Sequence, residues 1–534
     1  MNPSNALGDF QQTALILIPE FILLFTAVGI MTASAFVSLS RRFWCAISAG
    51  ALLAALLALL NLSDRQTGLY SAVALNDDLS FYARFVLLCT GLVLLALAHR
   101  EPDDERAGEF FGALLMVNAG AMLVAAANEL VFLFVGLELV SIPTYVLLYL
   151  SRRSRATQEA ATKYFFLSIF SSGLLLYGLT FLYGTIGISN LKAMAFLFDK
   201  LANMPQDQLG LIAVVFVMAG LCFRVAAVPL HFYAPDVYEG SPIAIAATLS
   251  WVPKAVGFLA IVRALTAVLA TKDPGSSHLL HGAVMLAWVI AAATMIWGNF
   301  VALLQDNLKR LLAYSSIAHA GYIMVGVAAA FAGESQGGGM YYGSEGVFFY
   351  LVAYAVMTLG AFGVISALRI KGQVAQTVED LSGLGWTHPL PALALSICLL
   401  SLAGIPPLVG FWAKFEIFTA LLAASQRVES GSFIALAIIG MLSAAAGAYY
   451  YLRLVVVMYL RPSKEEVRLS GGWPVALAAG ACASLTLFFG LFSSPVSSAA
   501  RAAALAALHH SPSQHSQVAA AVPSPQLTGR SIHN

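Results

Sequence analysis

Apolar runs of about 20 residues or more recur along the whole chain, separated by short polar stretches. A run of that length is what a helix needs to cross a bilayer. The pattern predicts fourteen spans, at residues 13–38, 43–62, 78–98, 107–127, 129–150, 158–183, 208–238, 242–268, 278–301, 308–331, 343–369, 391–424, 432–460 and 474–495. In lipid each segment has to satisfy its own backbone hydrogen bonds, so the expected fold class is an all-α integral membrane protein. Gly and Pro interrupt the runs internally at two places, around Val228-Pro229 in span 7 and at Gly404-Ile405-Pro406-Pro407 in span 12.

The two interruptions lie five spans apart. Broken helices at matching positions of two halves point to inverted repeats with ion sites at the breaks. The expected organisation is an N-terminal three-span segment (1–104), a first five-helix repeat (105–268, spans 4–8) and a second (278–460, spans 9–13). A last span (461–500) and a disordered tail (501–534) complete it. The tail is rich in Ser, His, Pro and Ala. Its His509, His510 and His515 are read as solvated, with adventitious metal binding as the other option.

Composition strengthens the membrane assignment. Hydrophobic residues make up 60% of the chain and charged ones 10%, with a mean hydropathy of +0.82. A soluble chain carries about 25% charged residues. The net charge of +1 says nothing about partners, and the lack of any basic patch or stripe leaves nucleic-acid binding unsupported. The first apolar run is long and has no Lys or Arg ahead of it, so it is expected to be kept as a span and not cleaved as a signal peptide. Cys45, Cys89, Cys222, Cys398 and Cys482 each stand alone in apolar surroundings and read as small core residues. No motif for an iron–sulfur cluster, haem, flavin or nicotinamide is present in the sequence.

Lys and Arg orient the spans. With the N-terminus outside, the inside loops hold Arg41, Arg42, Arg100, Arg106, Arg152, Arg153, Arg155, Lys309, Arg310, Arg369, Lys371, Arg461, Lys464 and Arg468. The outside loops hold only Arg65, Lys192, Lys200, Lys272 and Arg427. This bias places both termini outside. Arg501 and Arg530 fall in the tail, which leaves seven cations within spans.

An ionisable group at mid-span costs at least ~2.5–3.5 kcal/mol, so it is a functional candidate by default. Lys163, Arg263 and Arg453 lie near span ends and are expected to snorkel to the interface; Arg84 is ambiguous. Arg224, Lys254 and Lys414 are central. Lys254 lies roughly 18 Å along a helix from Pro242, at 1.5 Å per residue. Glu138, in "FVGLELVSIPTY", is the central acid. Structural ion pairing without transport is the plain alternative for all four. Desolvation disfavours an ammonium and a nearby carboxylate favours it. A Lys whose acidic partner comes and goes therefore loads and releases a proton.

The segments "FVGLELVSIPTYVL", "RVAAVPLHFYAPDVYEGSP", "VPKAVGF", "QDNLKRLLAYSSIAHAGY" and "LAGIPPLVGFWAKF" resemble the antiporter-like subunits of respiratory complex I, and "APDVYEGSP" is similar to the N-type members. The likeness runs from about residue 105 to 460. It implies a proton-translocating module of a bacterial inner-membrane NADH:quinone oxidoreductase. Other membrane-arm subunits, such as the antiporter-like M and the small K and J, would be its partners, and quinone, FMN and iron–sulfur clusters would sit in partner subunits. It also implies a proton path through Glu138, Lys254 and Lys414, with His319 as a further member or a packed core histidine. Arg224 stands where the family usually has Lys. Arg stays protonated, so it is expected to act on Glu138 electrostatically without releasing protons. Asp236 and Glu239 are expected at the inside end of span 7, as a proton inlet, a subunit contact or a plain polar loop. Two other readings stay open: an Mrp-like cation/proton antiporter, against which the "DVYEG" signature argues, and a non-pumping spacer of the membrane arm.

Overall fold

The computed structural model describes residues 11–62, 73–151, 154–194, 207–269, 278–332, 339–370, 372–425, 430–463 and 466–508. Arg65, Arg152, Arg153, Lys200, Lys272, Lys371, Arg427, Lys464, Arg530 and the three tail histidines lie outside them.

Three helices open the chain: α1 (Ile18–Ser34), α2 (Arg41–Asn61) and α3 (Asp78–Ala98). The first repeat follows as α4 (Ala107–Ala126), α5 (Leu130–Ser151), α6 (Arg155–Ile186), the half-helices α7 (Asp207–Val225) and α8 (Ala234–Gly240), and α9 (Ile243–Leu269). The second comprises α10 (His278–Ala302), α11 (Leu308–Ala332) and α12 (Gly339–Ala367), then a short α13 (Leu384–Thr387). It continues with the half-helices α14 (Pro389–Ala403) and α15 (Val409–Ser425), and α16 (Ser430–Leu460). The chain ends on α17 (Gly472–Leu491) and α18 (Ser494–Leu508). Among the described residues, eleven helices are long and apolar enough to cross a membrane, and three apolar ones are shorter.

Each break falls in the fourth span of its five-span group. An odd number of crossings per group puts the second group in the opposite orientation. α9, α11 and nearly all of α12 are buried inside the bundle, whereas α2, α6 and α16 show most of their surface. The outward side chains include Phe25, Phe166 and Leu442, which suit acyl chains. A helix that is apolar all round is buried or faces lipid, and both cases occur here.

The breaks are built differently from ordinary prolines in a helix. Pro143 and Pro253 lie inside α5 and α9, which run on past them. A lone proline removes one backbone donor. At the first break Ala226 also takes a left-handed conformation (φ 57°), and at the second Gly404 does (φ 91°). These residues turn the chain out of the helix. The peptide bonds Val228-Pro229 and Pro406-Pro407 are cis. The freed polar groups find partners, as they must in the membrane. Ala227 N–H donates to Cys222 O (2.8 Å), Val228 N–H to Thr294 Oγ1 (3.0 Å), and Tyr233 OH to Phe223 O (2.9 Å). Beyond the second break, Gly410 N–H donates to Ser401 Oγ (3.0 Å). Gly is required at 410: an added Cβ would overlap the Ser401 carbonyl.

Outside the helices, β1 (Leu368–Ile370) pairs antiparallel with β2 (Gln373–Val374) and β3 (Val467–Leu469), in the order β2-β1-β3. Arg369 faces Val374 on one side and Arg468 on the other. The expected boundary of a disordered tail at 501 is corrected: α18 crosses it and runs to Leu508. Its buried Val496, Ala500, Ala503 and Ala504 form a helical stripe, and small residues allow close approach.

Candidate proton path

The candidate path begins where α5, α6 and α7 meet. Arg224, in the last turn of α7, points its fork at α5. Its Nη2 pairs with Glu138 Oε1 at 2.6 Å, and its Nη1 donates to Leu137 O at 2.8 Å. Ser172 of α6 closes the group: its hydroxyl donates to Glu138 Oε1 (2.5 Å) and accepts from Arg224 Nη2 (3.1 Å). Glu138 and Arg224 thus meet between α5 and α7. The Arg224 side chain is 2% exposed and that of Glu138 is 23%. The cation is therefore buried and the acid keeps some access.

Lys254 is on the fully buried α9. Its Nζ donates to the carbonyl of Ser316 and, at 2.6 Å, to the Ser316 hydroxyl. It also lies over the Tyr354 ring, 4.8 Å from the centroid, and Tyr238 OH is 3.3 Å from Ser316 Oγ. Ser316 belongs to α11, and α11 continues the row of buried polar groups. Ser315, Ser316, His319 and Tyr322 follow at helical spacing along its buried length. His319 Nδ1 lies 2.7 Å from Tyr350 OH and its Nε2 3.1 Å from Tyr451 OH, which also bonds Ser315. Tyr322 OH accepts from Asn299 Nδ2 (3.1 Å), whose Oδ1 accepts from Tyr450 OH (3.2 Å).

At the far end Lys414 lies over the Tyr322 ring, 5.1 Å from its centroid. Its Nζ donates to Leu402 O (3.0 Å) and Ala403 O (2.8 Å), the last carbonyls of α14. The second break thus supplies acceptors for a cation, as a helix C-terminus does. The sequence reading gave each lysine a carboxylate that comes and goes. Among the described residues no carboxylate lies in ion-pair distance of Lys254 or Lys414. Neutral carbonyls, hydroxyls and ring faces hold both.

Other ionic groups stand apart from this row. Arg263 does not snorkel: it is buried and holds Asp77 through two 2.8 Å bonds, while its Nη2 also donates to Ala125 O (2.9 Å). Asp77 lies at the start of α3 and within reach, so pairing wins over exposure. Arg84 forms a buried pair with Glu20 at 2.9 Å. Lys163 is part exposed and bonds Asp236 and Glu159, each at 2.7 Å. Arg453 is also part exposed and pairs with Asp306. Arg310 bridges Asp236 (2.9 Å) and Glu239 (2.8 Å). The opening of α8 is therefore a networked surface and not a plain loop.

Residues 127–458 match the family model described as NADH:quinone oxidoreductase/Mrp antiporter, TM. A relative called NADH-quinone oxidoreductase subunit N, from Trichlorobacter lovleyi, is 38% identical over 489 residues, 90% of this chain and 95% of that one. The chain belongs to the subunit N family of NADH-quinone oxidoreductases. Among solved structures, a chain of respiratory complex I from Thermus thermophilus superposes with a TM-score of 0.72 at 30% identity, over 91% of this chain and all of that one. A chain of the Mrp complex from Dietzia sp. shares the fold, with a TM-score of 0.76 at 23% identity, over 95% of this chain and 99% of that one. The family match covers both breaks and all five expected path residues.

Sequence reasoning missed Ser172, Ser316, Tyr322, Tyr350, Tyr354 and Tyr451. A signal was there. "YSSIAHAGY" sets Ser316, His319 and Tyr322 three residues apart, and "FFYLVAYAV" sets Tyr350 and Tyr354 four apart, inside otherwise apolar runs.

Proposed function

We propose that this chain is a proton-translocating membrane-arm subunit of an NADH:quinone oxidoreductase in a bacterial inner membrane. The observation that carries the reading is the row of buried donors and acceptors from Lys254 through Ser316, His319 and its tyrosines to Lys414, with a Glu138–Arg224 pair at one end. A lysine held by neutral acceptors can lose its proton without stranding an anion beside it. Separation of Arg224 from Glu138 leaves the carboxylate uncompensated and alters the field on Lys254. Lys254 then passes its proton along α11 toward His319 and Lys414. His319, with a hydroxyl at each ring nitrogen, can accept at one and donate at the other. Electron transfer is assigned to partner subunits that hold quinone, FMN and iron–sulfur clusters. The excess of Lys and Arg in the expected inside loops supports both termini outside.

The test is proton pumping in vesicles carrying the whole complex, driven by NADH and quinone. Lys254→Ala and Lys414→Ala should each lower the number of protons moved per NADH while assembly stays intact. Unchanged stoichiometry in both would favour a non-pumping spacer.

A further inference from the structure

Beyond Lys414 lies a cavity of about 310 Å³ between α12, α15 and α18, lined in part by Glu345, Glu416, Thr419, Ser497 and Arg501. Glu345 is 5% exposed although it carries a carboxyl. Arg501 Nε lies 3.3 Å from Glu345 Oε1 and 3.4 Å from its Oε2, and Ser497 Oγ donates to Oε1 at 3.2 Å. Both partners come from α18, the helix that crosses the expected start of the tail at 501. Glu416 enters from α15, two residues after Lys414, and its Oε2 is buried without a hydrogen-bond partner.

We propose that Glu345, Glu416 and Arg501 form the proton-release station of this subunit, with Glu416 as the carrier and Arg501 as its positioning residue. The inference rests on the proton-translocating reading above. The charge count argues for it. Two carboxyls share one guanidinium, so the trio is neutral only when one carboxyl holds a proton. Arg501 Nε sits against both oxygens of Glu345, whereas Glu416 Oε2 is buried without a hydrogen-bond partner, so Glu416 is the one placed to take that proton. Placement argues for it too. The Asp236–Glu239–Arg310 network lies at the start of α11, and Glu345 lies near the start of α12, at the opposite end of the hairpin. Thr419 is exposed and the Arg501 side chain is 53% exposed, so the cavity reaches the outside of the bundle. Lys414 and Glu416 stand two residues apart on different faces of α15, and the cavity on the Glu416 side has room for water. The step balances: the Lys414 ammonium gives a proton through water to the Glu416 carboxylate, leaving neutral Lys414 and neutral Glu416. Glu416 then gives its proton to water on the release side, and Arg501 stabilises the charge left behind. Among the described residues, apart from the trio itself and Lys414, the titratable group facing Glu416 is Tyr82 of α3, whose hydroxyl donates to Phe348 O (3.1 Å).

The experiment uses the assembled complex in vesicles, with pumping measured as the pH on the release side is varied. Glu416→Gln should cut pumping by this subunit about tenfold, a modest part of the ~10²–10⁴ that a positioned proton carrier contributes. Glu416→Asp should restore most of it. Arg501→Ala should move the release-side pH profile to higher pH, because the bared carboxyls give up their proton less readily. Lys254→Ala is run beside them. If Lys254→Ala loses pumping while Glu416→Gln pumps like the parent, the release station is overturned and the function stands. If Lys254→Ala also pumps like the parent, the function itself fails. Should Glu416→Gln not assemble, an unshifted profile in Arg501→Ala overturns the station.

Discussion

The two broken helices solve one backbone problem and use the result in opposite ways. At the first, the cation comes before the break. Arg224 ends α7 and reaches sideways to a carboxylate, a carbonyl and a hydroxyl. At the second, the cation comes after it. Lys414 folds back from α15 onto the carbonyls that the break has freed at Leu402 and Ala403. The first arrangement ties a permanent charge to a partner of opposite sign. The second holds a dischargeable cation with neutral acceptors. Backbone rupture therefore does not by itself make a proton site; the side chain placed beside it decides whether the charge can leave.

The sharpest way to break this contrast is to give the second break the cation of the first. Lys414→Arg keeps charge, hydrogen-bond donors and cation–π contact, but guanidinium does not release its proton. We expect pumping in vesicles to fall about as far as in Lys414→Ala, at least tenfold, on the scale of a lost proton carrier. Pumping at the parental rate would show that Lys414 acts only as a fixed charge, like Arg224.

Dissecting the first break should cost stability. Removing one member of a buried pair leaves the other uncompensated, typically a loss of ~3–5 kcal/mol. The two members differ in access, with Arg224 buried and Glu138 part exposed. Glu138→Ala is therefore expected near the upper end of that range and Arg224→Ala near the lower, measured by reversible unfolding in bicelles. Equal losses would mean that solvent does not reach Glu138.

These contrasts were only partly legible in the chain. The spans and both breaks could be read because lipid demands long apolar runs and proline leaves a visible mark. Glu138, Arg224, Lys254 and Lys414 stood out because charge inside such runs is rare. Their partners did not. Tyr350 and Tyr451 reach His319 from α12 and α16, 31 and 132 residues away, and no local pattern encodes that meeting. Arg263 was misjudged for a related reason: its partner Asp77 is 186 residues distant. The helix α18 was hidden by its own composition. "SPVSSAARAAALAAL" has small residues in place of the usual Leu and Phe, and it runs into a Ser- and His-rich stretch.

The smallest effect should come from making the first break resemble the second. In Arg224→Lys the charge is kept, so Glu138 stays compensated. What is lost is the fork. Arg224 bonds Glu138, Leu137 O and Ser172 at once, and an ammonium at the end of a shorter side chain cannot span all three. With the carboxylate contact kept, giving up one or two neutral bonds costs about 0.5–1.5 kcal/mol each. The variant should thus be about 1 kcal/mol less stable than the parent and pump at nearly its rate. Arg224→Ala should pump poorly by the same assay, because nothing then balances Glu138. The comparison isolates what Arg224 supplies. If Arg224→Lys fails as badly as Arg224→Ala, the three-point geometry of the fork is what the first break needs, and charge alone does not explain it. If both variants pump like the parent, the Glu138–Arg224 pair is structural and the field that drives Lys254 arises elsewhere.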